Sequence, residues 1–495
     1  MTSESSIIYQ NSAATVFLID IPTSIALAQE LSPQLYPCPT QPRHPNSTQQ
    51  NKTRHLRSSS PLEQPYLPST EPKTETARAR VLARIPRTER LVHEAIEPVV
   101  LDALNLLRDQ YGRGSNWCLP RYSLRNEADI EHHSNERRHS TEVAGGRAGK
   151  RRRWEKYSDS HGHEYCFQPS SEAAVETSSG AIRQPPLILS PDSNRFESGT
   201  DLCGVVVRNT SLETAMVTAR CSCSTVDFIT DTENGQSTLQ RQDHTFIIPP
   251  LSNFVLCNIP ISPPTIQQNR IHPIPRLPQD QKFNLILLDP PWSNRSVRRS
   301  RYYTTQSYSD NQLLEKKIQH ILQVHSCPVT NQNSISIAAI WITNSAKARG
   351  TAYNSLTRAG FSVIEEWIWI KTTVDGQPIS PVGGLWRKPY EVLVIGRKQH
   401  ASTLREAADT GGLRRVIAAV PDVHSRKPNL REMFEKVLFQ KEQGSGGVQY
   451  SALEVFARNL TAGWWACGNE VLKFNSEDWW VDGKLLYFGS SDLSL

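Results

Sequence analysis

Lys282–Tyr303 reads KFNLILLDPPWSNRSVRRSRYY, an apolar run that stops at Asp289-Pro290-Pro291-Trp292. Phe283, Leu285, Ile286, Leu287 and Leu288 are branched or aromatic. A short continuous apolar run bounded by breakers suits a strand buried on both faces at the centre of a parallel sheet. Proline has no N–H to give to a sheet ladder, so the strand ends at Asp289. A carboxylate therefore stands at the carboxyl edge of a strand, where open α/β sheets bind their ligands.

A carboxylate and the carbonyl after it are both acceptors, and the proline rings hold those carbonyls at fixed angles. Such a pair suits an exocyclic NH2 group. The lone pair of an aromatic amine is delocalised into its ring, and acceptors that draw its hydrogens toward a tetrahedral arrangement make the nitrogen a better nucleophile. Trp292 offers a face on which a purine or pyrimidine stacks. Just downstream, Arg295, Arg298, Arg299 and Arg301 interleave with Tyr302, Tyr303 and Tyr308. That mixture suits phosphate neutralisation and base stacking; the alternative is a solvated basic loop.

The rest of the C-terminal half alternates between two periods. Helices are predicted over 311–324, 345–359 and 429–440, and strands over 253–259, 334–343, 363–371, 390–396, 414–420 and 450–456. This βα rhythm predicts an α/β fold with a Rossmann-like, doubly wound sheet and helices on both faces. The glycine-rich nucleotide loop GxGxxG is absent after the first strand. Where a later strand ends, the chain reads Phe456-Ala457-Arg458-Asn459, so side chains must hold any nucleotide cofactor. Residues 375–386, with their Gly and Pro, are expected to form a mobile lid.

The chain has 495 residues, 33 of them proline, and is 37% apolar, which confines the packed core to part of its length. Nine cysteines without a CxxC pair suggest neither a disulfide framework nor a zinc site. The net charge of +6 is modest, but Arg147, Lys150, Arg151, Arg152, Arg153 and Lys156 form a basic run that fits nuclear import, phosphate contact or a solvated loop. His132, His133, His139, His161 and His163 lack a ligand framework, and no metal is expected. No run approaches the ~20 apolar residues of a membrane span.

Residues 1–200 are expected to be largely disordered, with a short strand over 14–20 and a helix over 24–30 forming a docking element. The stretch 32–75 is read as disordered from its Pro, Ser, Thr and Gln content. Over 76–111, Leu91, Ala95, Val99, Val100, Ala103, Leu104 and Leu107 give helical spacing, with Pro98 beginning the second of two helices. A small β-rich element is expected over 201–252, the main domain over 253–480 and a tail over 481–495.

Asp-Pro-Pro-Trp is the catalytic tetrapeptide of amino-methyltransferases acting on N6 of adenine, and DPPWSNRSVRRSRY resembles the methyltransferase-like protein four branch of the MT-A70 family. Arg387-Lys388-Pro389-Tyr390-Glu391, then LEVFARNLTAGW from Leu453 to Trp464, then Gly468-Asn469-Glu470 follow in that family's order. The resemblance covers roughly 253–480. It implies a permuted, β-class order, with Asp289, Pro290, Pro291 and Trp292 catalytic. It implies an S-adenosylmethionine site at Asn258, Asp289, Lys427, Phe456, Arg458, Asn459, Asn469 and Glu470. Substrate is expected at Arg295, Arg298, Arg299, Arg301, Tyr302, Lys388 and Tyr390. Asn258 departs from the family's usual acid, keeping an acceptor without the charge. Without the resemblance, Arg458 reads equally as a helix-surface residue and Asn469 as a turn residue.

The expected function is N6 methylation of adenine in nucleic acid: adenosine or 2′-O-methyladenosine of small nuclear RNA, deoxyadenosine in DNA, or both. The rival is a noncatalytic nucleic-acid-binding partner subunit with a degenerate cofactor pocket. A nuclear monomer is expected, with cytoplasmic presence and a partner subunit left open.

Overall fold

The computed structural model describes residues 5–32, 54–66, 71–72, 74–112, 114–123, 185–220, 243–261, 272–292, 311–330, 334–385, 387–398, 412–439 and 449–482. Among these, one twelve-stranded sheet runs in the order Ile7–Gln10, Val16–Ile19, Leu413–Ala419, Phe361–Lys371, Tyr390–Lys398, Ile337–Ile342, Leu285–Leu288, Ala452–Val455, Trp465–Gly468, Asn253–Leu256, Val206–Arg208 and Leu187–Ile188. The apolar run before the two prolines is its interior strand, parallel to both neighbours, with Leu288 opposite Ile340 and Val455. Tyr390–Lys398 alone among the central strands runs antiparallel to both neighbours. Its first residues therefore share an edge with the carboxyl ends of the parallel strands.

Side chains alternate between two cores. Ile286, Leu288, Ile340 and Val455 face the helices Asn311–His325, Ala346–Arg358 and Arg87–Gln110. Leu285, Leu287, Ala339 and Trp341 face the helices Ile21–Ala28 and Arg431–Val437. Each helix is one amphipathic stripe laid on a sheet buried on both sides, which is why the strands read as unbroken apolar runs. The result is the Rossmann-like α/β architecture predicted from the sequence.

The N-terminal segment is more than a docking element. Val16–Ile19 is fully buried and extends the sheet beside Leu413–Ala419, with Phe17 opposite Ile417. Within the stretch read as disordered, Arg54–Ser58 is a strand between Trp480–Asp482 and Tyr122–Ser123. Arg-His-Leu-Arg-Ser carries one large apolar residue, Leu56, so no period marks it as a strand and only its distant partners reveal it. Cuts at 253 and 480 thus pass through hydrogen-bonded sheets. In the 201–252 stretch, Val206–Arg208 joins the main sheet, while Ala215–Arg220 and Asp243–Ile248 pair in a second, three-stranded one.

Pro98 begins no helix; it lies inside Arg87–Gln110. It faces solvent, so the Glu94 carbonyl it leaves without an N–H partner sits beside water, while Ile96, Val100, Ala103, Leu104 and Leu107 bury the opposite face. Leu91 is left 52% exposed, outside the stripe. The expected lid is anchored at several points. The Val374 carbonyl accepts from Trp117 N–H at 2.9 Å and the Ile379 carbonyl from Tyr66 N–H at 2.8 Å, while Val374 N–H donates to Leu62 at 3.0 Å. Trp117 is 1% exposed and lies so close over Gly376 that a Cβ there would come within 2.3 Å of its ring. The strand Trp465–Gly468 has no sequence counterpart among the predictions, because WACG is too short to show a period.

Candidate active site

Asp289 extends the central strand by one residue, its N–H donating to Val455 at 3.2 Å. Its carboxylate lies on the face of Leu287 and Trp341, in a cleft with Lys427, Glu454, Phe456 and Asn459. Lys427 Nζ stands 3.4 Å from one carboxylate oxygen and Arg458 Nη1 3.4 Å from the other. The Pro290 carbonyl, the proposed companion acceptor, takes the Trp292 N–H at 2.8 Å and keeps its second lone pair. The Trp292 indole is pinned by donation from Nε1 to the Trp341 carbonyl at 2.8 Å and packs against the opposite core, outside the cleft lining.

Because Tyr390–Lys398 is reversed, Glu391 enters the site from the strand's first turn of chain. Its two carboxylate oxygens accept from Lys371 and Lys427, each at 2.6 Å. Burial alone would raise the Glu391 pKa, but the two lysines overcome it and hold the carboxyl well below its ordinary range. For Lys427, burial opposes the charge while Asp289 and Glu391 favour it, and the balance raises its pKa. The ammonium also sits 5.0 Å from the centre of the Trp341 ring.

Glu454 is the carboxyl that sequence reasoning missed. It lies opposite Leu287 in the parallel ladder, on the same face as Asp289. Burial, reinforced by the Asp289 charge and only partly offset by Arg458, pushes its pKa up to about 8. The site thus holds one carboxyl pushed toward its neutral form beside a carboxylate bracketed by cations, the pattern by which one cleft separates donor from acceptor roles. A glutamate inside the run Leu453-Glu454-Val455 was the available signal.

The wall beyond Glu454 is backbone under strain. Phe456 and Ser425 line the cleft at φ +62° and +66°, left-handed values that cost a non-glycine residue about 1–3 kcal/mol. Gly468 packs on Phe456 so closely that a Cβ would lie 3.2 Å from its Cα. Arg458 donates from Nε to Glu470 at 3.0 Å, and Lys473 holds the other Glu470 oxygen at 2.9 Å. Burial would raise the Glu470 pKa, but Lys473 and Arg458 together lower it. The Asn459 amide nitrogen is buried with no hydrogen-bond partner. Asn258 and Asn469 follow the paired strands Asn253–Leu256 and Trp465–Gly468 at the same sheet edge.

The structure therefore gathers Asp289, Lys427, Phe456, Arg458 and Asn459 around one cleft, with Glu470 held on Arg458, while Asn258 and Asn469 follow neighbouring strands outside its lining. Tyr390 and Lys388 are not brought there. Tyr390 is 1% exposed on the opposite face, its hydroxyl 2.6 Å from His93 Nδ1. Lys388 reaches the Val382 carbonyl at 3.4 Å and is influenced by Glu97, Glu71 and Glu89. Alternation explains the difference: Tyr390 and Glu391 are adjacent, so only one can face the cleft. Arg295, Arg298, Arg299, Arg301 and Tyr302, together with the basic run from Arg147 to Lys156, lie outside the described residues. Among the described residues no cluster of His, Cys, Asp and Glu could hold a metal, and no helix is long and apolar enough to cross a membrane.

A strand-end carboxylate followed by two prolines thus stands on a Rossmann-like sheet whose sequence carries no glycine-rich nucleotide loop after Asn253–Leu256. Residues 283–470 match the model of the MT-A70 family. The chain is 41% identical over 207 residues to the "N6-methyladenosine RNA methyltransferase MTA1" of Cryphonectria parasitica, covering 40% of this chain and 55% of that protein. It is 32% identical over 244 residues to the human "N(6)-adenine-specific methyltransferase METTL4", covering 48% and 45%. To the "DNA N6-methyl methyltransferase" of Caenorhabditis elegans it is 27% identical over 243 residues, covering 48% and 57%. The matched segment thus spans about half the length of these relatives.

Proposed function

We propose that the chain is an S-adenosylmethionine-dependent methyltransferase acting on N6 of adenine in nucleic acid. The observation that carries this reading is Asp289 itself. It is an ionisable acceptor at the end of the central strand, its position fixed by Pro290 and Pro291 and its charge bracketed by Lys427 and Arg458. The surrounding residues fit the cofactor's chemistry. Lys427 and Arg458 suit its carboxylate, Asn459 has a buried N–H2 awaiting an acceptor, and Asn258, Asn469 and Glu470 offer acceptors for ribose hydroxyls and an adenine amine.

When bound, S-adenosylmethionine supplies an electrophilic methyl on a sulfonium. Asp289 accepts a hydrogen bond from the adenine amine, keeps the nitrogen lone pair out of the ring, and stands ready for the proton that nitrogen sheds. The free lone pair of the Pro290 carbonyl takes the second N–H. Glu454, mainly neutral at pH 7, adds no second negative charge beside Asp289. Lys427, held by Glu391, limits how far the Asp289 carboxylate can turn. The acceleration on this reading comes from orientation and fixed charge.

The names of the relatives support both nucleic acids as substrates. We read the target as adenosine or 2′-O-methyladenosine in small nuclear RNA, or deoxyadenosine in DNA, reached in the nucleus by a chain that works as a monomer. Asn258, uncharged where the resembled family carries an acid, favours the rival of a noncatalytic nucleic-acid-binding subunit. The test is transfer of labelled methyl to total RNA and genomic DNA in parallel, with nucleoside analysis and an Asp289→Ala control. N6-methylated adenosine or deoxyadenosine that disappears in the control supports the enzyme. No label, and no saturable heat with S-adenosylmethionine, sinks it in favour of the subunit.

A further inference from the structure

The turn His424-Ser425-Arg426-Lys427 sends two adjacent cations in opposite directions. Lys427 enters the cleft, while Arg426 turns away and is 2% exposed. Its guanidinium lies 4.5 Å from the ring centres of both Phe474 and Trp479, pairs with Asp422 at 2.7 Å and donates to the Arg57 carbonyl at 2.9 Å. Asp422 also accepts from Ser59 N–H at 2.9 Å. Arg121 closes the other side, donating to the carbonyls of Val420 and Pro421 at 2.8 and 2.9 Å.

This is a demanding place for a cation. Arg426 Nε and one terminal nitrogen are buried without hydrogen-bond partners, so a single carboxylate, one backbone carbonyl and two ring faces must offset the lost hydration. A loop that needed only to be covered would do so more cheaply with an apolar side chain. What the flat, doubly stacked group supplies is orientation, one residue before Lys427. The adjoining Ser425 is held at φ +66°, with its carbonyl accepting from Arg458 at 3.3 Å, a conformation that its surroundings must enforce.

We propose that Arg426 is a positioning residue that aims Lys427 at Asp289, and that its cage makes the Arg54–Ser58 strand, with Ser59, part of the active-site scaffold. The kinetic readout rests on the methyl-transfer reading; the geometric readout does not. The full-length chain is compared with Arg426→Met, which keeps bulk but neither charge nor plane, and Arg426→Lys, which keeps charge alone. Trp479→Leu, which removes one ring, serves if the arginine variants fail to fold. Brief acetic anhydride labelling, read by mass spectrometry, gives the reactivity of Lys427 relative to exposed Lys436.

Wild-type Lys427 is expected to label far more slowly than Lys436, and in each folded variant its rate should rise toward that of Lys436. The kcat for methyl transfer should fall about 10- to 100-fold with KM for nucleic acid unchanged, the signature of a group displaced by about 1 Å. Lys427 remaining as protected in folded variants as in wild type overturns the inference, as does a fall in kcat matching only the loss of folded protein. Variants that expose Lys427 in a chain whose wild type transfers no methyl would sink the proposed reaction and leave this inference standing.

Discussion

Replacing Glu454 with glutamine should make the protein more stable, and more so as the pH rises. Burial and the Asp289 charge push the Glu454 pKa up to about 8 from the ordinary 4.5. A carboxyl that binds its proton more tightly folded than unfolded destabilises the native state as pH climbs between those two values, because the unfolded chain gives up its proton first. A tenfold change in proton affinity is worth about 1.4 kcal/mol, so the full penalty above the folded pKa is about 5 kcal/mol, and about 3 kcal/mol has accrued by pH 7. Glutamine keeps the shape and cannot ionise. In urea unfolding of wild type and Glu454→Gln, the stability difference should be near zero at pH 4 and favour the variant by about 3–5 kcal/mol at pH 9. A difference that stays flat across that range would refute the burial argument. A difference growing toward low pH would mean that Arg458, not burial, governs this carboxyl.

Lys427→Met leaves Glu391 with Lys371 and Asp289 with Arg458, so the loss should be about 2 kcal/mol, below the usual cost of stranding a buried charge, in chemical unfolding at pH 7. Glu391 has a lowered folded pKa, so its stabilising contribution is present above the ordinary glutamate value and lost as pH falls; that acid-side loss should shrink in the same variant. Gly376→Ala places a methyl against the Trp117 ring at φ +73° and should cost about 2–4 kcal/mol, read as a lowered melting temperature. Tyr390→Phe removes the His93 contact and should cost about 1 kcal/mol while leaving methyl transfer intact; a specific loss of turnover would show that Tyr390 meets substrate after all.

The central strand, the helices after it and the position of Asp289 were legible because each is a local pattern: an apolar run, a 3.6-residue stripe, a proline stop. The Asp289 surroundings were legible only in part. Lys427 and Arg458 stand out as charges in short motifs, but their pairing with Asp289 depends on a loop returning over a strand more than a hundred residues away. Glu454 was passed over because it sits within a run whose apolar character fixes a strand, and its value lies in that burial. Tyr390 was misdirected by a one-residue question of facing. In a strand, adjacent residues point oppositely, and the reversal of Tyr390–Lys398 leaves the motif alone unable to say that Glu391 turns to the cleft. The strand Arg54–Ser58 was lost, and the place of the expected strand Val16–Ile19 in the main sheet was not seen, for a third reason, that short strands acquire meaning only from their partners.

That last feature bears on how the chain comes to be folded at all. Val16–Ile19 waits for Leu413–Ala419, and Arg54–Ser58 for Trp480–Asp482, so each pairing spans roughly 400 residues. At about 5–20 residues per second, the first strand leaves the ribosome roughly 20–80 s before its neighbour exists. Throughout that time Phe17, Leu18 and Ile19, all buried in the finished sheet, are open to any other unpaired edge. Premature release or a stalled message would leave a sticky fragment, and a cell making this protein has reason to keep a holding chaperone close to its first sixty residues.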